Sequence, residues 1–486
     1  MRIGKVFLVG AGPGDIGLMT LKGLEAIKHA EVILYDRLAN PKLLEFTPAH
    51  CEFIYCGKLP DRHTLRQEKI NELLVSKALE GKTVVRLKGG DPGVFGRVGE
   101  EADALSKNGI IFEIIPGISS GMAAPLYAGI PVTHREFGET FAVVTAHDKS
   151  KEGKPSLDWQ GLASGIDTIA FYMGIANLSY ICKNLIQFGK PATTPVILIQ
   201  WGTFGRQKTL EGTLETIAEK ADEVKFTNPA ITLVGNIISL RDKMNWFEKK
   251  PLFGRQILLA RTGVTQSEMA KELADQGADV YEFPKWKKTT VPLNIKVLTN
   301  LNQYEQILFT SPESVTDFFE VLVEQGIDIR SISGALYGVS IKSVKTLNKY
   351  GFLAQLESDL KRIEKLLVVG DNRYISKYEN SDIYITSKLE IDEKFSQVLK
   401  LMFAEASLDT IIFPSSLSVE KLLQEMEKTQ ILPRSIFETA EIICMGEKTS
   451  QMAEAYGLTE YKMPQQPSKL SLMECLMKNS QDRSCL

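Results

Sequence analysis

The 486-residue sequence has few cysteines for its length, and none of them belongs to a paired motif. The six cysteines contain no C-x-x-C pair, which argues against a disulfide scaffold and indicates reduced thiols in a cytoplasmic protein. Cys51 and Cys56 have no companion His or Cys pair at metal-ligand spacing, so we expect no metal centre.

The sequence also lacks a long hydrophobic run and an excess of charge of either sign. The opening residues lead into the apolar run Lys5–Gly10, far below the roughly 20 residues that span a bilayer. We therefore expect no leader and no membrane span. The net charge of −3 gives no global attraction to nucleic acid, and aromatic residues do not interleave with a basic stripe, as on an RNA platform. A polyanionic ligand would need a local basic patch.

What is present is an alternation of short β-branched runs with longer amphipathic stretches, which predicts an α/β protein with largely parallel strands. The predicted strands are 5–9, 31–35, 83–87, 112–115, 168–172, 196–200, 230–234, 256–260 and 279–283. A charged stretch, 241–251, ends in a proline before a new strand begins. We predict domains at 1–245 and 253–486, joined by a linker at 246–252.

The second half contains an approximate internal repeat. Residues 304–312 resemble 408–416, and 335–351 resemble 442–457 as a strand, a glycine and a helix ending in Tyr-Gly. Such repetition predicts two similar α/β lobes.

A glycine-rich loop, Gly10-Ala11-Gly12-Pro13-Gly14-Asp15, follows the first predicted strand. A dinucleotide fingerprint would need a third glycine where Asp15 stands, and Pro13 has no backbone donor for a phosphate. Asp15 suits helix capping better than pyrophosphate binding. A ligand that approaches glycine backbone without needing phosphate donors fits better, and S-adenosylmethionine is such a ligand.

Several ordered motifs give residues 3–246 a specific resemblance. The chain resembles the uroporphyrinogen-III C-methyltransferases of the tetrapyrrole methylase family. The motifs are VGAGPGDIGLMTLK at 9–22, YDRL at 35–38, GK at 57–58 with His63 and Gln67, RLKGGDP at 86–92, FGR at 95–97, PGISS at 116–120, GIPVTHR at 129–135, FYMG at 171–174, GT at 202–203 and NPA at 228–230.

This resemblance implies S-adenosyl-L-methionine as cofactor and a set of residues that bind it. They are Pro13, Gly89, Gly90, Asp91, Val94, Ser119, Ser120, Met173, Gly202, Pro229 and Ala230. Each has a structural alternative: a turn for Gly89-Gly90-Asp91, core packing for Met173, and a helix cap for the serines. Only their joint order favours a cofactor site.

The implied substrate is a macrocycle with eight carboxylates, which needs cations around the mouth of its pocket. The candidate substrate-binding residues are Arg37, Arg86, Lys88, Arg97, His134 and Arg135, with Arg62 and Arg66 nearby. The resemblance implies Asp36 as proton acceptor and Lys58 as proton donor, although these two could equally form a structural ion pair.

Residues 253–486 resemble uroporphyrinogen-III synthase, through FTSP at 309–312, YIT at 384–386, FPSS at 413–416 and MGEKT at 445–449. The resemblance implies a discontinuous fold in which the chain leaves lobe one near 286 and returns near 387. Tyr384 is the candidate phenol donor, with a strand tyrosine as the alternative. Thr449 is the candidate for binding a substrate carboxylate at a helix N-terminus.

The expected fold class is α/β: a two-lobed tetrapyrrole-methylase unit followed by a two-lobed, flavodoxin-like synthase unit. The expected function is bifunctional: cyclisation of hydroxymethylbilane to uroporphyrinogen III, and its methylation to precorrin-2. One alternative makes the second half a non-catalytic tetrapyrrole-binding or regulatory module. Another is a methylase of the same fold that acts on a later corrinoid or on RNA. Small-molecule tetrapyrroles are the expected partners, with a homodimer formed through the first half.

Overall fold

The chain forms two units, each built on two β-sheets with flanking helices. The computed structural model describes residues 3–57, 66–146, 154–264, 266–360, 365–372, 378 and 381–483. Within these ranges, no helix combines the length and the apolar character that crossing a bilayer requires.

The first sheet of the N-terminal unit (residues 3–245) is entirely parallel. Its strands are Lys5–Gly10 (β1), Val32–Tyr35 (β2), Glu52–Tyr55 (β3), Val84–Lys88 (β4) and Ile111–Ile115 (β5), in the order β3-β2-β4-β1-β5. Its helices are Leu21–Lys28 (α1), Gln67–Leu79 (α2), Val98–Lys107 (α3) and Ser120–Tyr127 (α4). The strands β2 and β4 are buried along their whole length, as expected for a parallel sheet covered on both faces.

The second sheet is mostly antiparallel, so the expectation of largely parallel strands is wrong here. Its strands are Phe141–Thr145 (β6), Thr168–Tyr172 (β7), Pro195–Gln200 (β8), Lys208–Thr213 (β9) and Ala230–Val234 (β10), in the order β6-β7-β10-β8-β9. Its helices are Trp159–Gly165 (α5), Leu178–Gln187 (α6), Ile217–Glu223 (α7) and Arg241–Met244 (α8). Only the β6–β7 pair is parallel. The strands β3, β6 and β9 were not predicted, because they are partly exposed rather than continuously buried.

The C-terminal unit (residues 253–483) has two lobes, as predicted. The strands are Gln256–Ala260 (β11), Asp279–Phe283 (β12), Trp286–Thr289 (β13), Gln306–Phe309 (β14), Ala335–Gly338 (β15), Gln355–Leu356 (β16), Leu366–Asp371 (β17), Asp382–Ile391 (β18), Thr410–Phe413 (β19) and Glu441–Cys444 (β20). The helices are Glu268–Asp275 (α9), Ile295–Thr299 (α10), Pro312–Glu324 (α11), Ile341–Lys349 (α12), Ser396–Glu405 (α13), Ser416–Thr429 (α14), Ile436–Thr439 (α15), Glu447–Ala455 (α16) and Lys469–Arg483 (α17).

Lobe one contains the parallel sheet β12-β11-β19-β20, and lobe two the sheet β13-β18-β17-β14-β15-β16. The chain enters lobe two at β13 and leaves it after β18, slightly later than the predicted residue 387. The reason is that β18 continues to Ile391 in order to pair antiparallel with β13.

The internal repeat corresponds to the same local structure in both lobes. The side chains of Ser311 and Ser415 each accept a hydrogen bond from the backbone N–H three residues on. In turn, the side chains of Ser314 and Ser418 accept one from the backbone N–H of Ser311 and Ser415. These reciprocal caps start α11 and α14 directly after β14 and β19. The predicted repeat of 304–312 in 408–416 is therefore confirmed as a strand followed by a capped helix.

The segment between the two units is packed rather than extended. Phe247 and Leu252 are buried, and the Arg241 guanidinium donates to Glu211 Oε1 at 2.5 Å and to Glu248 Oε2 at 2.6 Å. One continuous cluster of buried apolar side chains contains residues of both units, among them Val9 and Leu258. The two units therefore share part of their core.

Candidate functional site

Three loops meet at the carboxyl edge of the first sheet. They follow the neighbouring strands β1, β4 and β5, and they carry Gly10–Asp15, Gly89–Asp91 and Pro116–Ser119. Gly12 and Gly90 exchange backbone hydrogen bonds of 3.2 and 2.7 Å. A Cβ on Gly10 would lie 2.6 Å from the Gly117 nitrogen, so only glycine permits this approach.

Gly90 leaves open space at the mouth of this crevice. Its φ is +69°, and a Cβ built on it would have a single neighbour within 4 Å, the backbone nitrogen of Ser120 at 3.9 Å. The adjacent carboxylate of Asp91 accepts hydrogen bonds from Gly117 N at 2.9 Å and Gly93 N at 2.7 Å. Asp91 therefore fixes the loops, and its contact with a cofactor stays a prediction.

Asp15 closes the first glycine loop as a helix cap. Its Oδ1 accepts from Gly17 N at 2.8 Å at the start of a short 3-10 helix, and its Oδ2 accepts from the Tyr127 hydroxyl at 2.7 Å. The interpretation of Asp15 as a capping residue is confirmed.

The second sheet brings its predicted cofactor residues to one edge. Met173 follows β7 and Gly202 follows β8, while Pro229 and Ala230 precede or open β10. Because β10 runs antiparallel to both β7 and β8, its first residue lies beside their last ones. Gly202 packs so closely on Ala124 of α4 that a Cβ there would come within 2.3 Å of the alanine Cβ.

Tyr172, which was not among the predicted site residues, joins the two sheets. Its hydroxyl lies 2.5 Å from Ser119 Oγ and accepts from Gly121 N at 2.5 Å. Its ring meets Phe95 edge-on, with 5.2 Å between the centroids. The side chain of Ser119 does not cap α4, which begins at Ser120, because the Tyr172 hydroxyl takes the Gly121 N–H instead. Tyr172 is the second residue of the FYMG motif at 171–174, so that motif could have identified it.

Strained backbone is concentrated in the same loops. Five non-glycine residues there have left-handed φ values between +49° and +73°: Phe95, Arg97, Met173, Trp201 and Thr203. Such conformations cost free energy and cluster at functional sites, where the surrounding structure holds them in place.

Asp36 lies in a cavity of about 300 Å³ beyond the end of β2. Its Oδ1 accepts from Leu38 N at 3.1 Å, and its Oδ2 accepts from Arg86 Nη2 at 3.3 Å. Its predicted partner Lys58, together with Arg62, lies outside the described residues. Arg66 is exposed at the start of α2.

Arg86 and Lys88 are buried rather than exposed at the pocket mouth. Both donate to Glu101 Oε1, at 3.2 Å from Arg86 Nε and 2.7 Å from Lys88 Nζ, and Glu101 is fully buried. Burial opposes the charge on Arg86, but the carboxylates of Asp36 and Glu101 outweigh it and raise the pKa. Burial and the neighbouring Arg86 lower the pKa of Lys88. Through Arg86, this network fixes the position of the Asp36 carboxylate. Direct substrate binding by Arg86 and Lys88 stays a prediction.

The remaining predicted cations lie in three different places. Arg37 donates through Nε to Glu405 of the C-terminal unit, and Arg97 forms a bidentate pair with Glu100 on the surface of α3. His134 and Arg135 belong to the loop before β6, which contacts Asp167 just before β7. This loop lies at the edge of the second sheet opposite to Met173. Within a single chain, His134 and Arg135 are therefore not close to the other predicted site residues.

The C-terminal unit supplies one wall of the cavity that contains Asp36. Trp201 and Arg206 line it from the N-terminal unit, and Met402 and Glu405 of α13 line it from the other side. The Arg206 guanidinium carbon lies 4.1 Å from the centre of the Trp201 ring, and Nη1 donates to the Tyr281 hydroxyl at 3.2 Å. These residues lie far apart in the sequence, so no local sequence pattern predicts their contacts.

The predicted synthase residues are both buried, in different lobes. Tyr384 is 2% exposed and packs edge-on against Phe318 in the core of lobe two, where burial raises the pKa of its phenol. Thr449 is 5% exposed in the first turn of α16, as its predicted position requires. The burial of Tyr384 favours the structural alternative, and its role as proton donor stays a prediction.

Comparison with known proteins agrees with this arrangement. Residues 5–218 match the tetrapyrrole (corrin/porphyrin) methylases, and residues 376–474 match uroporphyrinogen-III synthase HemD. A uroporphyrinogen-III C-methyltransferase of Bacillus subtilis (strain 168) is 50% identical over 463 residues, 94% of this chain and 95% of the relative. The porphyrin biosynthesis protein HemD of Ruminiclostridium josui is 34% identical over 487 residues, with the same two coverages of 94% and 95%.

A crystal structure of uroporphyrin-III C-methyl transferase from Thermus thermophilus, complexed with S-adenyl homocysteine, is 36% identical. The similarity covers 49% of this chain and 100% of that one, with a TM-score of 0.42.

The fold and the family matches define a tetrapyrrole methylase unit followed by a synthase unit, as the sequence predicted. The chain belongs to the uroporphyrinogen-III C-methyltransferase family, in the form that carries a HemD unit. The expected bifunctional tetrapyrrole-biosynthesis enzyme is thereby confirmed, and the non-catalytic alternative for the second half is not favoured.

Proposed function

We propose that the N-terminal unit transfers methyl groups from S-adenosyl-L-methionine to C2 and C7 of uroporphyrinogen III, giving precorrin-2. The C-terminal unit cyclises hydroxymethylbilane to the uroporphyrinogen III that the first unit uses. The observation that carries the proposal is the convergence of the glycine loops of the first sheet with the strained strand ends of the second.

The crevice suits a nucleoside sulfonium. Gly90 leaves open space opposite the N-terminus of α4, and Met173 is 45% exposed at the facing edge. An apolar wall with glycine backbone gives close packing to a ligand that carries no phosphate. S-adenosylmethionine, when bound, supplies an electrophilic methyl group. Asp91 and Tyr172 fix the loops around it. The residues proposed to hold it are Pro13, Gly89, Gly90, Asp91, Val94, Ser119, Ser120, Met173, Gly202, Pro229 and Ala230.

Asp36 is placed to accept the proton that the pyrrole carbon loses after methylation. Its carboxylate lines the cavity, and Arg86 holds one of its oxygens. Positioning of substrate and base contributes much of the rate in such a reaction. Arg37, Lys42 and Arg206 are cations that line the same cavity, and the two guanidinium groups suit substrate carboxylates.

The domain boundaries that we propose are 1–245 and 253–486, and the protein acts in the cytoplasm as a homodimer through its N-terminal unit. Exposed apolar residues on and before α4, namely Ile118, Met122 and Leu126, support such an interface. Light scattering on the full chain should give twice the chain mass of 54.1 kDa, and a monomer would refute the dimer.

The deciding experiment supplies labelled S-adenosylmethionine and hydroxymethylbilane to the full chain and identifies the product. We expect a doubly methylated type III product, together with binding of S-adenosylhomocysteine by calorimetry. Absence of that binding would refute the methyltransferase. Exclusive formation of type I uroporphyrinogen would refute the synthase.

Tyr384→Phe tests the synthase chemistry separately. If the phenol donates a proton, kcat for cyclisation should fall about 100-fold while methylation of added uroporphyrinogen III is unchanged. An unchanged cyclisation rate would assign Tyr384 to the core alone. Tyr337→Phe, at another buried strand tyrosine in lobe two, is the matched control.

A further inference from the structure

A second cavity, here called the inter-unit cavity, lies between the two units and has a volume of about 900 Å³. Asp15, Lys42 and Phe204 line it from the N-terminal unit, and Gly263 and Lys271 line it from the C-terminal unit. Its volume is at the upper end of the range for small-molecule sites, about 300–1,000 Å³. It is therefore large enough to consider as a site for a macrocycle.

One end of the inter-unit cavity adjoins the cavity that contains Asp36. Four residues line both spaces: Asn40, Lys42, Phe204 and Asp279. These residues form a wall that the larger space shares with the proposed methylation site.

The lining of the inter-unit cavity also includes residues of both lobes of the C-terminal unit, such as Arg261 and Lys287. Arg261 and Gly263 line the cavity, and they directly follow β11. Because the sheet of lobe one is parallel, this loop lies on the same edge as Ser415 after β19 and the start of α16 after β20. A Cβ on Gly263 would lie 3.9 Å from Glu313 of lobe two, so the loop faces the opposite lobe.

Most charged groups on the cavity wall neutralise one another. Arg261 pairs with Glu282 at 3.0 Å, and Lys285 pairs with Glu45 at 2.7 Å. The other paired or bonded acids are Asp15 with Tyr127, Asp279 with Arg206, and Asp392 with Lys394.

Four lysines on the wall are not held in ion pairs of this kind. Lys42, Lys250, Lys271 and Lys287 form no ion pair with any residue that the structure describes, although Lys250 donates to the backbone carbonyl of Asp275 at 2.8 Å and Lys287 lies opposite Glu390 in the β13–β18 pair. Ammonium groups that are not held in ion pairs around a concave space attract anions that carry several charges. The pattern fits a ligand with carboxylates on several sides.

We propose that the inter-unit cavity binds a cyclic tetrapyrrole polycarboxylate and passes it from the synthase cleft to the methylation site without release to solvent. This inference rests on the proposed function, because the ligand is the product of one unit and the substrate of the other. Lys42, Lys271 and Lys287 hold its carboxylates during the passage.

Isotope dilution on the full chain tests the passage. Labelled hydroxymethylbilane is supplied with S-adenosylmethionine and an excess of unlabelled uroporphyrinogen III, and the label in the methylated product is measured. We expect the product to keep a label content several-fold above that of the free pool. Full equilibration of the label with the pool would overturn the proposal. Each activity is first measured alone, so that a failure of the proposed function is recognised separately.

The double variant Lys271→Glu, Lys287→Glu should abolish the retention of label while each separate activity stays within about twofold. A control double variant, Lys296→Glu, Lys345→Glu, changes the same charge at exposed lysines that line neither cavity. It should retain the label as the unmodified chain does. Loss of retention in both variants, or in neither, would overturn the assignment to these lysines.

Direct binding gives a second measurement that needs no turnover. In calorimetry at low ionic strength, uroporphyrin III should show one more binding event with the unmodified chain and the control variant than with the cavity variant. Equal stoichiometry in all three proteins would overturn the proposal.

Discussion

The two units each contain a buried arginine network, but the networks lie at opposite edges of their sheets. In the N-terminal unit, Arg86 and Lys88 meet Glu101 towards the carboxyl end of β4, next to Asp36. In the C-terminal unit, Arg255 precedes β11 and pairs with Asp409 at 3.0 Å and with Glu441 at 2.8 Å, at the amino edge of the sheet.

The difference shows how position within a sheet separates function from stability. In open α/β sheets, ligands bind outside the carboxyl ends of the strands. The Arg86 network lies at that edge and supports a proposed catalytic carboxylate, whereas the Arg255 network ties three strands together away from the cleft. The carboxyl edges of the two lobes carry neutral serine caps at Ser311 and Ser415 instead.

The strongest way to sharpen this comparison is Asp36→Asn. Loss of the proton acceptor should lower kcat for methylation by about 10²–10⁴-fold, because general base catalysis contributes about that much. Binding of S-adenosylhomocysteine and the rate of cyclisation should not change. Asp103→Asn, on the exposed face of α3, is the control. Methylation at the normal rate in Asp36→Asn would remove Asp36 from the chemistry.

Glu101→Gln tests whether the N-terminal network depends on its single buried carboxylate. The change leaves two buried cations without their shared counter-charge, which should cost about 3–5 kcal/mol of the free energy of unfolding. Urea unfolding followed by circular dichroism measures the loss. The neighbouring Glu100→Gln removes an exposed pair with Arg97 and should cost less than about 1 kcal/mol. Equal effects in the two variants would contradict the importance of burial.

Gly90→Ala tests whether the open space beside Gly90 holds the cofactor, and Gly109 in an ordinary turn serves as the control. The new Cβ enters open space beside α4, so we expect binding of S-adenosylhomocysteine to weaken about tenfold, the equivalent of about 1.4 kcal/mol. Gly109→Ala has a similar φ, +64° against +69°, and no atom within 4 Å of its Cβ. Both should lose about 1–2 kcal/mol of stability from backbone strain. A matching loss of binding in Gly109→Ala would mean that strain, and not the crevice, is responsible.

The smallest expected effect is the pH dependence of the C-terminal network. Burial opposes the charge on Glu441, but hydrogen bonds from Lys462 and Arg255 prevail and lower its pKa below the ordinary glutamate value. A lowered carboxylate pKa stabilises the fold above the unfolded value, and this stabilisation is lost as the pH falls through the folded value.

The thermal midpoints of the unmodified chain and Glu441→Gln should therefore differ at pH 7 and converge below about pH 4. Glu438→Gln, at an exposed neighbouring position, should show no such convergence. A constant difference across the whole range would refute the electrostatic origin.

The sequence predicted four of the five strands of the first sheet, β1, β2, β4 and β5, and the loops that follow them, because their apolar runs and glycine motifs are local. It missed β3, which is partly exposed. It could not predict the antiparallel second sheet, since strand direction depends on pairing between β7, β8 and β10. The burial of Arg86 and Lys88 was missed because Glu101 reaches them from a different element, α3. The contact of Arg37 with Glu405 joins residues 368 positions apart, beyond any local pattern.

The apolar cluster that runs through both units has an evolutionary consequence. Val9, Phe53 and Leu258 belong to or pack on one cluster, and Phe53 meets Phe395 edge-on at 5.4 Å. A destabilising substitution in either unit therefore reduces the amount of both enzymes together. Selection acts on the two activities together. Cutting the chain between the two units would expose apolar side chains of this cluster to solvent on each fragment.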